Sequence, residues 1–99
     1  MAVFAVFYTY TDDSARRDEF RPAHREHLAA LAAEGVNLAS GPYTDAATPG
    51  ALLLYRAESA EEALAHTERD PFRVNGLVAE VSVRPWNPVL GTAASAFTA

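Results

Sequence analysis

Residues 2–10 (AVFAVFYTY) constrain the fold of this chain more than any other segment. They are rich in Val, Phe, Tyr and Thr, which predicts a β-strand, and the turn cluster at 11–14 ends it. A sheet that contains this strand needs cover on both faces, because apolar side chains point both ways along it. Phe4, Val6 and Tyr8 would lie on one side, and Val3, Ala5 and Phe7 on the other.

The first predicted helix follows this strand. It runs from about Pro22 to Glu34, because proline is tolerated in a first turn and Gly35 is well placed after the helix end. Residues 14–21 form either a separate helical turn or a loop. At about 100° per residue, His24, Leu28 and Leu31 fall within about 60° of arc, so His24 shares the buried stripe of the helix.

The second helix opens at Ser59–Glu62, a capping box in which the serine hydroxyl accepts from a free backbone N–H and the glutamate reaches back. It ends near Arg69, because Asp70-Pro71 stops a helix. Residues 72–76 are expected to form a short irregular or helical bridge.

Three further strands are predicted at 36–43, 51–57 and 77–86, the first of them broken near Gly41-Pro42. The order βαββαβ predicts an α+β, ferredoxin-like fold with a four-stranded antiparallel sheet. The 99 residues suffice for one domain, with a core at 1–88 and an arm or tail at 89–99. One face of the last strand would carry Leu77, Ala79, Val81 and Val83.

The apolar open face predicts a partner. Leu52, Leu53 and Leu54 stand in a row in the third strand, so this strand too is apolar on both faces. A second copy of the chain would supply the missing cover, which predicts a homodimer. The alternative is that the tail folds over the open face.

Composition excludes several classes of function. The chain has no cysteine, and its net charge of −5 comes from thirteen acidic residues against eight arginines with no lysine. We expect no nucleic-acid partner, because a basic stripe is missing. No stretch approaches the ~20 apolar residues that span a membrane, so we expect no membrane partner and a cytoplasmic protein.

His24 and Asp70 are the candidate catalytic residues. A histidine that faces the interior near a sheet edge can act as a general base, since imidazole titrates near neutral pH; the alternative is a structural core histidine. The start of the first helix and the end of the second can meet at one edge of this fold. There Asp70 would orient the imidazole and stabilise its charged form, or would only be a turn residue.

A metal site is the competing interpretation of these residues. His24 and His27 stand three positions apart and could bind a metal together with Asp70, but we predict no metal. His66 is expected at the surface. Ser40 could line a pocket, and some of the aromatic residues, Tyr8 among them, could line a cavity for a cyclic ligand.

Several short segments of the chain form a recognisable set. They are Arg21-Pro22-Ala23-His24, Ala39-Ser40-Gly41-Pro42, Ser59, Asp70-Pro71-Phe72 with Gly76, and Val83-Arg84-Pro85-Trp86. Together they resemble the YciI-like (YCII-related) family over residues 1–88. That resemblance implies a dimeric α/β barrel of the ferredoxin-like type with a His–Asp dyad, which carries onto His24 and Asp70. The enzymes of that family resemble lyases or isomerases that act on small cyclic oxygenated compounds without a redox cofactor.

The sequence thus predicts a cofactor-independent enzyme for a small-molecule substrate. His24 would move a proton in an elimination, isomerisation or dehydration, and Ser40, Gly41, Phe72 and Tyr8 would contact the substrate. Two alternatives stay open: a non-catalytic dimeric module that binds a ligand or partner, and a cofactor-free monooxygenase of the dimeric-barrel type.

Overall fold

The computed structural model describes residues 1–45 and 47–98, without the side chain of Thr98. These residues form a four-stranded antiparallel sheet in the order β2-β3-β1-β4. The predicted α+β, ferredoxin-like βαββαβ fold is therefore confirmed. The strands are β1 (Ala2–Tyr10), β2 (Asn37–Pro42), β3 (Gly50–Ala57) and β4 (Val78–Trp86).

Two long and two short helices connect or follow the strands within the described residues. None of them is both long enough and apolar enough to cross a membrane. The helix over Pro71–Val74 occupies part of the bridge predicted at 72–76, and the last helix lies in the predicted tail. The helices are α1 (Ser14–Ala33), α2 (Ala60–Glu68), α3 (Pro71–Val74) and α4 (Ala94–Thr98).

Helix α1 begins well before the predicted start at Pro22. Asp13 caps it, since its side chain accepts a hydrogen bond from the backbone N–H of Arg16 at 3.1 Å. Pro22 lies inside the helix, where it has no N–H to give to the carbonyl of Asp18. The predicted helix start was wrong because a local cap outweighed the proline signal.

The inner face of the sheet, defined as the face that carries Phe4, Val6 and Tyr8, packs against the helices. Val6 and Tyr8 are almost fully buried in one apolar cluster with Leu31 of α1, and Phe4 packs with Ala63 of α2. The predicted assignment of these strand residues to one side is confirmed.

The outer face carries Val3, Ala5 and Phe7, and α4 covers only one end of it. The ring of Phe97 lies 5.6 Å from that of Trp86, and its carbonyl accepts a hydrogen bond from Arg56 at 2.9 Å. Phe7 remains 37% exposed. The tail therefore covers one end of the open face and leaves the remainder to solvent.

Strand β4 differs from its prediction at Ala79. The register against β1 shifts so that Thr9 pairs with Glu80 and Tyr10 pairs with Val78. This bulge adds one residue to β4, so Val78 packs on the core and Ala79 is exposed. The predicted position of Ala79 on the buried face was wrong, because strict alternation holds only for a regular strand.

The pairing of β2 with β3 is continuous from Ala39 to Pro42. The ladder continues to Pro42 opposite Ala51, so the predicted break of β2 at Gly41-Pro42 was wrong. Gly50 begins β3 against the backbone of β1: a Cβ there would lie 2.1 Å from the carbonyl oxygen of Tyr8. Glycine is required at this position by the close backbone contact.

Candidate functional site

Asp70 is fully buried at the junction of α2 and α3. Its backbone is extended because Pro71 follows, and its side chain caps α3 by accepting from the backbone N–H of Phe72 at 3.0 Å. The other carboxylate oxygen, Oδ2, accepts a hydrogen bond from the hydroxyl of Tyr8 at 2.9 Å. One carboxylate thus connects a helix start to the central strand.

His24 completes this buried group from α1. Its Nδ1 lies 2.7 Å from Oδ1 of Asp70, and its ring stacks on Phe72 with 3.9 Å between centroids and 3° between planes. His24 is 8% exposed and shares its buried stripe with Leu31, as the helix periodicity predicted. The structure therefore brings the two predicted catalytic residues into hydrogen-bond contact.

A cavity of about 410 Å³ opens beside the His24 ring, between α1 and the edge formed by β2 and β3. Ser40, Gly41 and Phe72, three of the predicted substrate contacts, lie on its wall. Tyr8 does not line it, because its hydroxyl lies behind Asp70. Tyr8 is therefore in contact with the carboxylate and not with the space a ligand would occupy.

Sequence reasoning missed several residues on the cavity wall. Arg21 and Arg25 lie there, one helical turn apart on α1, together with Tyr10 and Asn37. The i, i+4 spacing of the two arginines beside His24 was a signal that could have found them. The amide nitrogen of Asn37 donates to Oγ of Ser40 at 3.1 Å, which fixes that hydroxyl at the wall.

The tyrosines near Asp70 remain protonated over a wide pH range. Burial raises the pKa of Tyr8 well above its ordinary value, and the charge of Asp70 raises it further. Burial, followed by the same carboxylate, raises the pKa of Tyr10 to about 12. Tyr8 therefore stays a hydrogen-bond donor to Asp70 throughout the physiological pH range.

This arrangement selects one tautomer of His24. Asp70 accepts from the hydroxyl of Tyr8 and from the backbone N–H of Phe72, so Nδ1 of His24 is assigned as the third donor. The lone pair then lies on Nε2, which has no hydrogen-bond partner among the described residues and is not sealed from solvent. An imidazole in this state can accept a proton, and the carboxylate behind it stabilises the resulting imidazolium.

The other two histidines lie apart from this group. Nε2 of His27 is 3.1 Å from the backbone carbonyl of His66. The side chain of His66 is only 14% exposed and meets Tyr55 edge to face, so the prediction of a surface residue was wrong. Among the described residues, no three His, Asp or Glu side chains are grouped as a metal site would require.

Comparisons with known proteins agree with the fold and identify the family. The sequence profile described as the YCII-related domain matches residues 2–87. Protein YciI of Escherichia coli O6:H1 strain CFT073 and Protein YciI of Shigella flexneri are each 33% identical over 96 residues, covering 85% of this chain and 98% of theirs.

Solved structures share the fold. The 5-chloro-2-hydroxyhydroquinone dehydrochlorinase TftG of Burkholderia phenoliruptrix AC1100, in complex with 2,5-dihydroxybenzoquinone, has a TM-score of 0.74 and 26% identity, covering 85% of this chain and 92% of TftG. A putative antibiotic biosynthesis monooxygenase from Nitrosomonas europaea has a TM-score of 0.55 and 19% identity, covering 87% and 96%, which is a likeness of fold alone. With its profile match over residues 2–87 and these relatives, the chain belongs to the YCII-related domain family.

Proposed function

We propose that the chain is a small-molecule enzyme of the lyase or isomerase type that works without a cofactor. The observation that carries this proposal is the 2.7 Å contact between His24 and Asp70 at the wall of a cavity of about 410 Å³. A base that is oriented by a buried carboxylate and open to a partly apolar cavity suits proton abstraction from a small organic compound.

The reaction begins with transfer of a substrate proton to Nε2 of His24. The electron pair left on the substrate forms a new double bond while a neighbouring leaving group departs as an anion with its own pair. In an isomerisation, the proton returns to another carbon instead. Either path balances without an oxidant or a reductant, since the proton and the leaving group are the only atoms transferred.

The likeness to TftG supports the elimination path. That protein is named as a dehydrochlorinase of a hydroxylated, chlorinated ring, and its complex holds a hydroxylated quinone. In the keto tautomer of such a ring the carbon that bears chlorine is tetrahedral, and loss of hydrogen chloride from that tautomer is an elimination of the kind described for His24. We therefore propose a hydroxylated cyclic compound with a leaving group as the substrate class.

The remaining residues have distinct proposed roles. Asp70 holds the tautomer of His24, and Tyr8 positions Asp70 from behind. Phe72 presents a flat apolar surface continuous with the imidazole, and Ser40 and Gly41 contact the substrate from the strand edge. General base catalysis of this kind supplies about 10²–10⁴-fold in rate.

We also propose that two copies of the chain pack through their outer faces as a dimeric α/β barrel. The exposed ring of Phe7 and the half-buried Leu52 and Leu54 support this, because α4 leaves that part of the sheet uncovered. A second copy would bury this apolar surface.

The test of the catalytic proposal is release of chloride from 5-chloro-2-hydroxyhydroquinone, followed with a chloride electrode. His24→Gln is expected to lower kcat/KM by about 10²–10⁴-fold. The matched control, His27→Gln, changes a histidine of the same helix that lies outside the cavity wall, and it should retain the wild-type rate.

Three outcomes would contradict this function. Equal rates in His24→Gln and the wild-type chain would remove the base from the mechanism. Uptake of oxygen in step with substrate loss, measured in the same vessel, would favour the cofactor-free monooxygenase alternative. Ligand binding with no turnover of any ring compound in a screened set would favour the binding module.

A further inference from the structure

The cavity beside His24 has a local charge opposite to that of the whole chain. The protein carries thirteen acidic residues against eight arginines, for a net charge of −5. The described wall of the cavity nevertheless includes two arginines, Arg21 and Arg25, and no carboxylate. Asp70 is close to the cavity but is fully enclosed behind the His24 ring.

These two arginines differ from their neighbours on α1 because they are not used to hold the fold together. Arg17 is buried, donates to the carbonyl of Thr11 and lies over the ring of Tyr10, 5.2 Å from its centroid. Its guanidinium is therefore committed to the N-terminal turn. Arg25, by contrast, is exposed and makes no hydrogen bond or ion pair with any described residue.

Arg21 is less committed to the fold than Arg17 and more than Arg25. It pairs with Asp18 one turn earlier on the helix, but both side chains remain accessible, at 38% and 69% exposure. Exposed ion pairs of this kind contribute little stability and exchange easily. A guanidinium also has five donors, so a carboxylate on one side leaves the other side available.

We propose that this cavity selects substrates that carry an anionic oxygen, with Arg25 as the principal contact and Arg21 as the second. The inference rests on the proposed function for the position of the reacting proton, but its binding component is independent of catalysis. The substrate class is narrowed to ring compounds with an ionised phenol, enol or carboxylate.

The same contact would assist the reaction. When Nε2 of His24 takes a proton, negative charge grows on the oxygen conjugated to that site. A guanidinium already within the cavity stabilises this negative charge without having to reorganise. Such fixed charges supply a large share of the stabilisation of transition states by enzymes. Arg25 suits an oxygen pair better than lysine would, because its planar fork donates two parallel hydrogen bonds.

Calorimetric titration with two quinones of the same ring size tests the inference. The first, 2,5-dihydroxybenzoquinone, is a vinylogous acid that is ionised at neutral pH; the second, 2,5-dimethoxybenzoquinone, is uncharged. The wild-type chain is expected to bind the anion about tenfold or more tightly than the neutral ring. Arg25→Gln should remove most of this preference, Arg21→Gln a smaller part, and Arg25→Lys should restore some of it.

Arg69→Gln is the matched control. It removes one positive charge from an exposed residue at the end of α2, outside the cavity wall, and should leave the preference unchanged. Equal affinity for the two quinones, no binding of the anion by the wild-type chain, or equal losses in Arg25→Gln and Arg69→Gln would each overturn the inference.

The inference and the proposed function fail separately. If the chain prefers the anion through Arg25 but releases no chloride, the anion site is supported and the lyase function is contradicted. If the wild-type chain releases chloride but binds the anionic and the neutral quinone equally, the lyase function is supported and the anion site is contradicted. Titrating His24→Gln with both quinones separates binding from proton transfer directly.

Discussion

Two of the cavities, one on each face of the sheet, are similar in size and differ in chemistry. The outer one, about 460 Å³, lies between the sheet and the tail, and its wall includes Arg56, Trp86 and Phe97. The guanidinium of Arg56 holds the tail, because it donates a hydrogen bond to the carbonyl of Phe97. The inner one, about 410 Å³, has a histidine with a free nitrogen and a buried carboxylate behind it.

The difference shows that a cavity's volume does not indicate its role. In the outer cavity, Arg56 donates to the carbonyl of Phe97 and so fastens α4. In the inner cavity, three donors converge on Asp70 and leave Nε2 of His24 without a partner among the described residues. A site that retains an unused polar group at its wall can offer it to a ligand, whereas Arg56 of the outer cavity is already bonded to the tail.

The largest expected effect on stability comes from the inner group. Asp70→Ala would leave the hydroxyl of Tyr8, the N–H of Phe72 and Nδ1 of His24 without their acceptor. We expect a loss of about 3–5 kcal/mol in the free energy of unfolding, measured by urea denaturation. Glu68→Ala, at an exposed position of α2, is the control and should stay within about 0.5 kcal/mol. A small loss of stability in Asp70→Ala would show that the three donors do not depend on Asp70 as their common acceptor.

A smaller effect that depends on pH is expected at Tyr8. Tyr8→Phe leaves Oδ2 of Asp70 without its donor and should lower stability by about 1–3 kcal/mol near neutral pH. Because the folded pKa of Tyr8 is raised above its unfolded value, the contribution of its protonated hydroxyl is complete below about pH 10 and is lost as the pH rises above it.

Urea denaturation of both chains from about pH 8 to about pH 11 measures this difference. The wild-type chain should lose stability more steeply than Tyr8→Phe over the upper part of that range. Tyr43→Phe, at a partly exposed position, serves as the control near neutral pH, where we expect a change within about 0.5 kcal/mol. Parallel curves for wild type and Tyr8→Phe would contradict the proposed hydroxyl contribution.

The smallest effect on the fold is expected on the outer face. Phe7→Lys replaces a partly exposed ring, so the stability of a single chain should change by only about 0.5 kcal/mol. In the proposed dimer the same charge would be buried, and self-association should weaken by roughly a hundredfold. Light scattering across a dilution series measures this. Val74→Lys, at an exposed position of α3, is the control. The same mass for all three chains would contradict a dimer through this face.

The sequence predicted the order of the elements and the stripe that buries His24, because periodicity and turn signals are local. It also predicted that Asp70 ends α2, since Asp-Pro acts through its own backbone. The contact between these two residues required the fold as well, since they are far apart in the chain. Only the βαββαβ topology brings the two helix ends to one edge.

Other features could not be predicted because they depend on neighbours. The bulge that turns Ala79 outward arises from the pairing of β4 with β1, and no residue in β4 signals it. His66 is covered because α2 packs beside Tyr55, although its own helix position allows exposure. The sequence analysis did not place Arg21 and Arg25 at a cavity wall, because a helix alone does not show that a strand edge faces it.

Asp70 has a further consequence for how such a chain changes through evolution. Its Oδ1 accepts from both the N–H that begins α3 and the imidazole of His24. Selection for a stable fold alone would therefore retain the aspartate after activity had been lost, and a longer glutamate would disturb both contacts. Under the proposed function, the residue of a relative that matches His24 would therefore distinguish an enzyme from an inactive copy better than the residue that matches Asp70.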